Sequence, residues 1–271
     1  MARTWVGTSG WRYPPWRGTF YPQGLAQRLE LAHLSRCVSS IEINGSFYSL
    51  QRPEYYRAWA GQTPDDFLFA VKGARFVTHL KQLRDVRVPV ANFLASGVLA
   101  LGAKLGPLLW QLPPRLRYDR DRLGQFFELL PHTTAGAAAL AVEALVVLDG
   151  RAHTATDADR PLRHALEVRH PSFRDAGFAE LLRQHEVALV VADSAGTWPY
   201  FEELTAGIVY VRLHGADELY TSGYTPEALD AWAEKVRAWR DGGRDVFVYF
   251  DNDAKVHAPF DAIALARRLA G

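Results

Sequence analysis

The amino-acid sequence predicts an α/β fold in which eight parallel strands and their helices form a single-domain (β/α)8 TIM barrel. Short apolar segments recur eight times along the chain, and most of them end at Gly, Asp, Asn or His, as strands buried on both faces do. Segments with helical periodicity separate them, and this alternation implies a parallel sheet. The 271 residues allow about 34 residues for each strand–helix unit, which suits one barrel.

The predicted elements follow one another in order. The strands are predicted at residues 4–10, 40–45, 67–73, 108–112, 165–170, 187–193, 208–215 and 245–252. The helices are predicted at residues 25–35, 54–61, 92–104, 120–130, 175–185, 225–240 and 259–269. The helix at 225–240 has the clearest signals, because Thr225 can cap its N-terminus and Pro226 suits its first position. Its apolar residues then recur every three or four positions, which gives the helix one apolar face.

Residues 1–271 are predicted to form one domain with an atypical insertion or extra helix at about 133–163, before the fifth strand. The alternative fold is an open doubly wound sheet. The phosphate-binding signature of that fold, Gly-x-Gly-x-x-Gly after the first strand, is absent from the sequence, and so is a P-loop. The barrel is therefore the favoured fold.

The composition argues against several classes of protein. The net charge of +1, from 31 basic and 30 acidic residues, is unlike that of a dedicated nucleic-acid binder, which needs a basic face. Cys37 is the only cysteine, so no intramolecular disulfide can form, and we expect it to be a small buried residue. The sequence contains no apolar leader and no apolar run long enough for a bilayer. We therefore expect a cytoplasmic protein without a membrane partner.

The ends of the predicted strands carry polar side chains that should face the barrel interior. Side chains alternate along a strand, and the Val and Leu residues of the seventh strand occupy one face, so Tyr210, Arg212 and His214 are predicted to point inward. The same alternation gives Glu42, Asn44, Lys72, Gln111, Glu167, Arg169, Asp193, Tyr249 and Asp251 on other strands, with Thr8 or Ser9 on the first. Barrel enzymes place their active sites at this end of the strands. The alternative is that these groups form buried ion pairs that hold the barrel together.

Four residues of this ring are predicted to be catalytic: Lys72, His214, Glu167 and Asp193. Lys72 stands out because only five of the 31 basic residues are Lys. A desolvated Lys can act as a general base, as a Schiff-base nucleophile, or as a point charge for a carboxylate or phosphate. His214 is predicted to be a general acid or base that works with Glu167 or Asp193, the alternative being a hydrogen-bonded structural His.

A larger set is predicted to bind the ligand. The predicted ligand-binding residues are Trp11, Glu42, Asn44, Tyr48, Gln111, Arg169, His170, Arg212, Tyr249, Asp251 and Asn252. Arg169 and Arg212 would hold anionic groups together with Lys72. Trp11 and Tyr48 directly follow strands and would stack on a sugar or base, whereas other aromatic residues of these loops would cap the barrel mouth. No His-x-x-x-His spacing and no cofactor motif is present, so neither a metal nor a cofactor is predicted.

Short motifs occur in order over nearly the whole chain. They are Gly-Thr-Ser-Gly-Trp at 7–11, Glu-Ile-Asn-Gly-Ser-Phe-Tyr at 42–48, Phe-Ala-Val-Lys-Gly at 69–73, Thr-His at 78–79, Lys-Leu-Gly-Pro at 104–107, Gln-Leu-Pro-Pro at 111–114, Glu-Val-Arg-His at 167–170, Arg-Leu-His-Gly at 212–215 and Tyr-Phe-Asp-Asn at 249–252. They resemble the motifs of the YecE-like family, catalogued as domain of unknown function number seventy-two. The resemblance implies a TIM barrel and adds His79 to the motif positions, but it implies no reaction.

Three positions depart from the pattern of the family that the chain resembles. Asp251 stands where the family usually has Asn, Val256 is the nearest match to a usual Gly, and Phe173 replaces a usual Trp. The resemblance therefore implies that the loop after the eighth strand is shaped differently in this chain.

The ring of polar residues favours an enzyme that acts by acid–base chemistry on a small polar or anionic substrate, such as a sugar, a phosphate ester or a carboxylate. Hydrolase, lyase and isomerase chemistry all fit. The alternative is a non-catalytic binding protein for a metabolite or a nucleic acid. Nucleic-acid binding would use a basic stripe beside the mouth, formed by Arg75, Lys81, Arg84 and Arg87. A solvated helix face explains these four residues better, so a small-molecule partner is the favoured prediction.

Overall fold

The computed structural model describes residues 1–144 and 151–270, and its strands close into a parallel barrel. The strands are β1 (Thr4–Ser9), β2 (Ser40–Ile43), β3 (Leu68–Lys72), β4 (Leu105–Gln111), β5 (His164–Glu167), β6 (Val187–Asp193), β7 (Ile208–Leu213) and β8 (Asp245–Phe250). They follow chain order around the barrel, and β1 pairs in parallel with both β2 and β8. The predicted barrel is confirmed, and the open doubly wound alternative is wrong.

Helices alternate with the strands and cover their outer faces. Within the described ranges the α-helices are α1 (Glu30–Leu34), α2 (Gly45–Tyr48), α3 (Pro53–Gly61), α4 (Arg87–Ala95), α5 (Arg120–Leu129), α6 (Thr134–Ala141), α7 (Ala176–Gln184), α8 (Pro226–Asp241) and α9 (His257–Ala270). As predicted, α8 begins after Thr225, whose side chain accepts a hydrogen bond from the backbone N–H of Ala228. No helix in the described ranges is long and apolar enough to cross a membrane.

One predicted helix is interrupted. The helix predicted at 92–104 is observed as the end of α4 and a separate 3-10 segment (Val98–Lys104), with Gly97 between them. Gly97 adopts a φ of 117°, and a Cβ atom there would lie 2.5 Å from the Cα atom of Pro53. Only glycine allows both this backbone conformation and this close approach to α3, so the helix ends earlier than its apolar pattern predicts.

Two smaller expectations also differ from the structure. The helix predicted at 25–35 is reduced to α1, because its first turn tightens into a 3-10 helix (Gln27–Leu29). Cys37 is exposed rather than buried, since it lies in the turn that follows α1.

The predicted insertion begins with a regular helix. The side chain of Thr133 accepts a hydrogen bond from the backbone N–H of Gly136 and so caps α6. Residues 151–163 then lead into β5 without forming a further helix. The part of the predicted insertion at 145–150 lies outside the described residues.

The barrel interior has an apolar half and a polar half. Trp5 and Phe247 stack near the N-terminal ends of the strands, with ring centroids 4.7 Å apart. The inward-facing apolar cluster consists of Trp5, Ala70, Leu109, Ala165, Ala188, Val190, Ala192, Ile208, Tyr210, Phe247 and Tyr249. Because these side chains fill the lower barrel, the polar residues further along the same strand faces are gathered at the C-terminal end.

The tight contact between β1 and β2 supplies a prediction about stability. A Cβ atom on Gly7 of β1 would lie 1.7 Å from the carbonyl oxygen of Ser40 on β2. We expect Gly7→Ala to lower the free energy of unfolding by about 3 kcal/mol or more, because the two strands must separate to admit the methyl group. Gly61→Ala is the matched control, since no atom lies within 4 Å of the corresponding position at the end of α3. Equal unfolding midpoints for the two variants in urea would contradict the prediction.

Candidate functional site

Arg212 lies at the centre of the polar half of the barrel and is fully buried. Its guanidinium group forms ion pairs with three carboxylates from three other strands or strand ends. Its Nη2 atom lies 2.8 Å from Glu42 Oε1 and 2.9 Å from Asp251 Oδ2, and its Nη1 atom lies 2.7 Å from Glu167 Oε2. The planar guanidinium presents donors in fixed directions, which a Lys ammonium could not reproduce.

The carboxylates that surround Arg212 make further hydrogen bonds. Glu42 accepts from the hydroxyl of Tyr210 at 2.6 Å and from Ser9 Oγ at 2.9 Å, so the first strand contributes Ser9 rather than Thr8. Glu167 accepts from Gln111 Nε2 at 3.0 Å. A polar network that is satisfied in this way is compatible with burial.

Glu167 also binds a second guanidinium, that of Arg169, whose Nε lies 2.7 Å from Oε1. Burial alone would raise the pKa of Glu167, but Arg169 and Arg212 outweigh it and hold that pKa well below its ordinary value. The lower layer of the ring therefore consists of buried ion pairs, as the structural alternative predicted.

Above this layer is a cavity of about 870 Å³ at the C-terminal mouth of the barrel. Six residues predicted to be catalytic or ligand-binding line it: Asn44, Tyr48, Lys72, Gln111, Arg169 and Asp251. The cavity has the size of a small-molecule site, and it lies where barrel enzymes bind their substrates.

Lys72 projects from β3 into this cavity and is 8 % exposed. Its Nζ atom lies 4.5 Å from the ring centroid of Phe47. Among the described residues it has neither a hydrogen-bond partner nor an ion-pair partner within 4 Å. Burial, reinforced by the charge of Arg212, lowers the pKa of Lys72 to about 8 despite the attraction of Glu42, Asp251 and Glu167. The ammonium group therefore remains available to a ligand.

Two carboxyl groups after β8, those of Asp251 and Asp253, line the same cavity, and their pKa values are shifted in opposite directions. Burial alone would raise the pKa of Asp251, but Arg212 and His214 hold it well below its ordinary value. Burial and the nearby charge of Asp251 raise the pKa of Asp253 to about 6. One carboxyl is therefore permanently ionised and the other titrates near neutral pH, an arrangement that suits acid–base chemistry.

Asp253 was not among the predicted site residues, and neither were several other residues that line the cavity. They are Tyr13, Phe47, Arg75, His79, Leu80, Pro113, Pro114, Arg115, Tyr220 and Asp253. All of them follow the end of a strand, in a loop or in a short helical segment such as α2, beyond the last residue whose direction the strand alternation sets. The available signal was their position within a few residues of a strand end, where the loops of a barrel form its active site.

His214 is close to the site but does not line the cavity. It is fully buried, with Nδ1 3.0 Å from Asp251 Oδ2, and it packs edge-on against Trp198 and Tyr220. The structure thus places His214 beside Asp251 and outside the cavity lining, so it does not face a ligand directly.

Asp193 points away from the barrel interior, so the prediction of its direction is wrong. The inward residues of β6 are Ala188, Val190 and Ala192, which leaves Asp193 on the outer face. There it accepts a hydrogen bond from the hydroxyl of Tyr224 at 3.0 Å.

Three other predicted ligand-binding residues have structural partners outside the cavity. His170 Nδ1 accepts a hydrogen bond from the backbone N–H of Ser172 and caps a short 3-10 helix. Asn252 is buried and donates to Asp261 Oδ2 of α9 at 2.9 Å. Tyr249 lies on the barrel floor.

The hydroxyl of Tyr249 is 2.7 Å from Ser40 Oγ, below the ion-pair layer. Glu42, Glu167 and Arg212 form that layer and likewise lie beneath the cavity. Trp11 packs edge-on against Trp59 and borders a second, smaller cavity. Within the described residues, no group of three or more His, Cys, Asp or Glu side chains is placed to hold a metal ion.

Comparisons with known proteins agree with this architecture. A family model described as "Protein of unknown function DUF72" matches residues 5–271. The UPF0759 protein YecE of Escherichia coli (strain K12) is 25% identical over 259 residues, covering 87% of this chain and 81% of that protein.

Solved structures show the same fold. A DUF72 family protein from Thermotoga maritima has a TM-score of 0.78 at 23% identity and covers 99% of this chain and 100% of its own. A DUF72 family protein from Enterococcus faecalis has a TM-score of 0.75 at 16% identity, covering 100% of this chain and 96% of its own.

The ion-pair layer supplies a prediction about stability. We expect Arg212→Met to lower the free energy of unfolding by about 3–5 kcal/mol, because the variant leaves buried carboxylates without a counter-charge. Arg183→Met is the control, since Arg183 lies 3.8 Å from Glu180 in an exposed pair that contributes little. Urea titrations at pH 7 measure both variants. A loss of less than about 1 kcal/mol for Arg212→Met would contradict a central structural role.

The ammonium of Lys72 supplies another prediction about stability, in which the substitution raises the free energy of unfolding instead of lowering it. The pKa of Lys72 is about 8, below its ordinary value, so protonation opposes folding, and the wild type should gain stability as the pH rises from 8 to about 10.5. We therefore expect Lys72→Met to be more stable than the wild type at pH 7, by about 3 kcal/mol at most, and the difference to shrink as the pH rises and to vanish only above about pH 10.5.

The matched control for this measurement is Lys104→Met. The ammonium of Lys104 donates to the carbonyl oxygens of Ala60 at 2.6 Å and Thr63 at 2.8 Å, so its removal should destabilise the protein at both pH values. If Lys72→Met is destabilised at pH 7 as Lys104→Met is, the ammonium of Lys72 already has a stabilising partner.

Proposed function

The chain belongs to the DUF72 family, and we propose that it is an enzyme that binds a small anionic substrate at the C-terminal mouth of its barrel and acts on it by acid–base chemistry. The observation that carries this proposal is the buried ammonium of Lys72, which faces the cavity without a partner among the described residues. A buried cation without a counter-ion costs stability, and such a cost is commonly retained where the group serves a function.

The charges around the cavity support an anionic substrate. Four cationic side chains line it, Lys72, Arg75, Arg115 and Arg169, against the two carboxyl groups described above. Arg75 and Arg115 are exposed at the rim, where they can attract an anion, whereas Lys72 lies deep enough to bind it out of water. A phosphate or a carboxylate would satisfy this arrangement.

His79 adds a neutral polar group to the cavity. Burial and the charges of Lys72 and Arg169 lower its pKa to about 4, so the imidazole is uncharged at pH 7. A neutral imidazole can donate or accept a hydrogen bond from a substrate without adding to the positive charge.

Asp253 and Lys72 supply the acid–base pair of the proposal. With a pKa of about 6, Asp253 is mostly ionised at pH 7 and can accept a proton from the substrate. With a pKa of about 8, Lys72 is mostly protonated at pH 7 and can donate a proton to a developing oxyanion, or stabilise it. Abstraction of a proton next to a carbonyl, as in isomerases and lyases, needs this combination of groups.

The remaining residues of the predicted catalytic set have other roles in this proposal. His214 lies 3.0 Å from Asp251 and helps to keep that carboxylate ionised, and the ionised Asp251 raises the proton affinity of Asp253. Glu167 fixes Arg169 and Arg212. Asp193, which lies on the outer face, has no part in it.

Nucleic-acid binding has less support from the geometry. Of the four residues of the predicted basic stripe, only Arg75 lines the cavity, and Arg87 is paired with Glu143 at 2.6 Å. A non-catalytic protein that binds a small anion would use the same cavity, and turnover separates it from an enzyme.

The proposal is tested by ligand binding followed by turnover. We expect some members of a panel of small phosphate and carboxylate compounds to raise the unfolding temperature of the wild type. Lys72→Met should abolish the effect, whereas Lys255→Met, at an exposed position outside the cavity, should keep it. Compounds that bind are then incubated with the protein and followed by NMR for conversion.

For a compound that is converted, Asp253→Asn should lower kcat by about 100-fold or more while binding remains, and the wild-type rate should be highest between about pH 6 and 8. Binding that survives Lys72→Met, or the absence of any bound anion, would show the proposal to be wrong. Binding without any turnover would favour the non-catalytic alternative, and salt-sensitive binding of DNA or RNA would favour the nucleic-acid alternative. Trapping of a carbonyl compound on Lys72 by borohydride would identify that residue as a Schiff-base nucleophile.

A further inference from the structure

We propose that the substrate carries a ring with a polar edge next to its anionic group, and that a second cavity beside the first receives this ring. This inference rests on the proposed function, because it assumes that the anionic group lies at Lys72. The second cavity has a volume of about 270 Å³ and opens beside the loops that follow β1 and β2. We call it the aromatic annex, and the residues that define it are Trp11, Tyr13, Asn44, Tyr48 and Trp59.

The aromatic annex adjoins the main cavity. Tyr13, Asn44 and Tyr48 line both spaces, so the proposed substrate would extend past these three residues from one space into the other. Six charged side chains line the main cavity, whereas a single one, Arg12, lines the annex, where Ile43 and aromatic side chains predominate. A ligand that fits both spaces therefore has a charged end and a less polar end.

The walls of the annex favour a ring over a flexible chain. Trp11 and Trp59 pack edge-to-face with centroids 5.3 Å apart, which forms a rigid apolar wall. Tyr48 is 71% exposed, unlike most aromatic residues of these loops, and among the described residues its one contact with another aromatic ring is edge-on with Phe47 at 5.1 Å. An exposed ring beside a rigid aromatic wall is a surface on which a flat ring can stack.

Asn44 indicates that the ring has a polar edge. Its side-chain amide has no hydrogen-bond partner among the described residues, and its Oδ1 atom is buried. The neighbouring amide of Gln51 differs, since it donates to the carbonyl oxygens of Gly45 at 3.1 Å and Ser49 at 3.0 Å. A buried amide oxygen without a partner is costly, and a donor on the ligand, such as a ring hydroxyl or N–H, would satisfy it.

The ligand class is thus a phosphorylated or carboxylated compound with one sugar ring or one heterocyclic ring. Both kinds of ring offer flat apolar faces and hydrogen-bond donors at the edge, so the binding measurement includes both. Trp11 and Tyr48 were both predicted to stack on a ligand ring. In the structure, Trp11 belongs to the buried wall of the annex, and Tyr48 is the exposed ring on which a ligand can stack.

The test compares ring and acyclic anions by isothermal titration calorimetry. The probes are inorganic phosphate, glycerol 3-phosphate, glucose 6-phosphate and adenosine monophosphate. We expect at least one of the two ring compounds to bind about tenfold or more tightly than glycerol 3-phosphate. Tyr48→Ala and Asn44→Ala should each remove most of this advantage, and should weaken inorganic phosphate far less than they weaken the ring compounds. Tyr200→Ala, which removes an exposed Tyr that lines neither cavity, should change nothing.

The outcomes separate the two proposals. If phosphate compounds bind and depend on Lys72 but ring and acyclic compounds bind equally, the annex proposal is wrong and the proposed function stands. If both variants weaken inorganic phosphate as much as ring compounds, the annex proposal is also wrong. If no anion binds the wild type, both proposals are wrong. Unfolding temperatures within the error of the wild type show that a variant is folded, and Asn44→Ser, a smaller polar replacement, substitutes for Asn44→Ala if that variant fails this check.

Discussion

The structure depends on one buried guanidinium group. Arg212 pairs with Glu42, Glu167 and Asp251, so a single side chain on β7 connects residues from β2, from β5 and from the end of β8. Each of these charges would be expensive to bury alone, and together they are acceptable because every carboxylate has a cation or a donor. This constraint fixes which residue types the neighbouring strands can carry at their C-terminal ends.

The cavity is built on this layer and differs from it in one respect. In the Arg212 layer, every described charge has a partner of opposite charge. In the cavity above it, the ammonium of Lys72 has no ion-pair or hydrogen-bond partner among the described residues. The contrast gives the two layers different tasks: the lower one supports the fold, and the upper one retains groups that only a ligand would satisfy. Asp251 belongs to both layers, since it binds Arg212 and also shifts the proton affinity of Asp253. The scaffold and the chemistry of the site are therefore coupled through one carboxylate.

The sequence allowed the barrel and the lower layer to be predicted, because the alternation of apolar and polar residues on β2, β5, β7 and β8 is regular. The direction of Asp193 was predicted wrongly, because β6 is apolar on both faces and residue type does not show which of its side chains point inward. Asp253 and Arg115 were also missed, because loop conformation, not strand geometry, directs them into the cavity. The burial of His214 was not predicted, because the rings that pack against it, Trp198 and Tyr220, lie in the loops after β6 and β7, whose conformation the strand alternation does not set.

The connectivity of the Arg212 network has a consequence for the order of folding. Its ion pairs join residues separated by 170, 45 and 39 positions, so the full network can form only when nearly the whole chain has been wound into place. The pair that joins Arg212 on β7 to Glu42 on β2 is absent while the barrel is still open, and interactions that form after the rate-limiting step act mainly on unfolding. We therefore expect the network to contribute to kinetic persistence, by keeping the closed barrel from reopening, more than to the speed with which it closes.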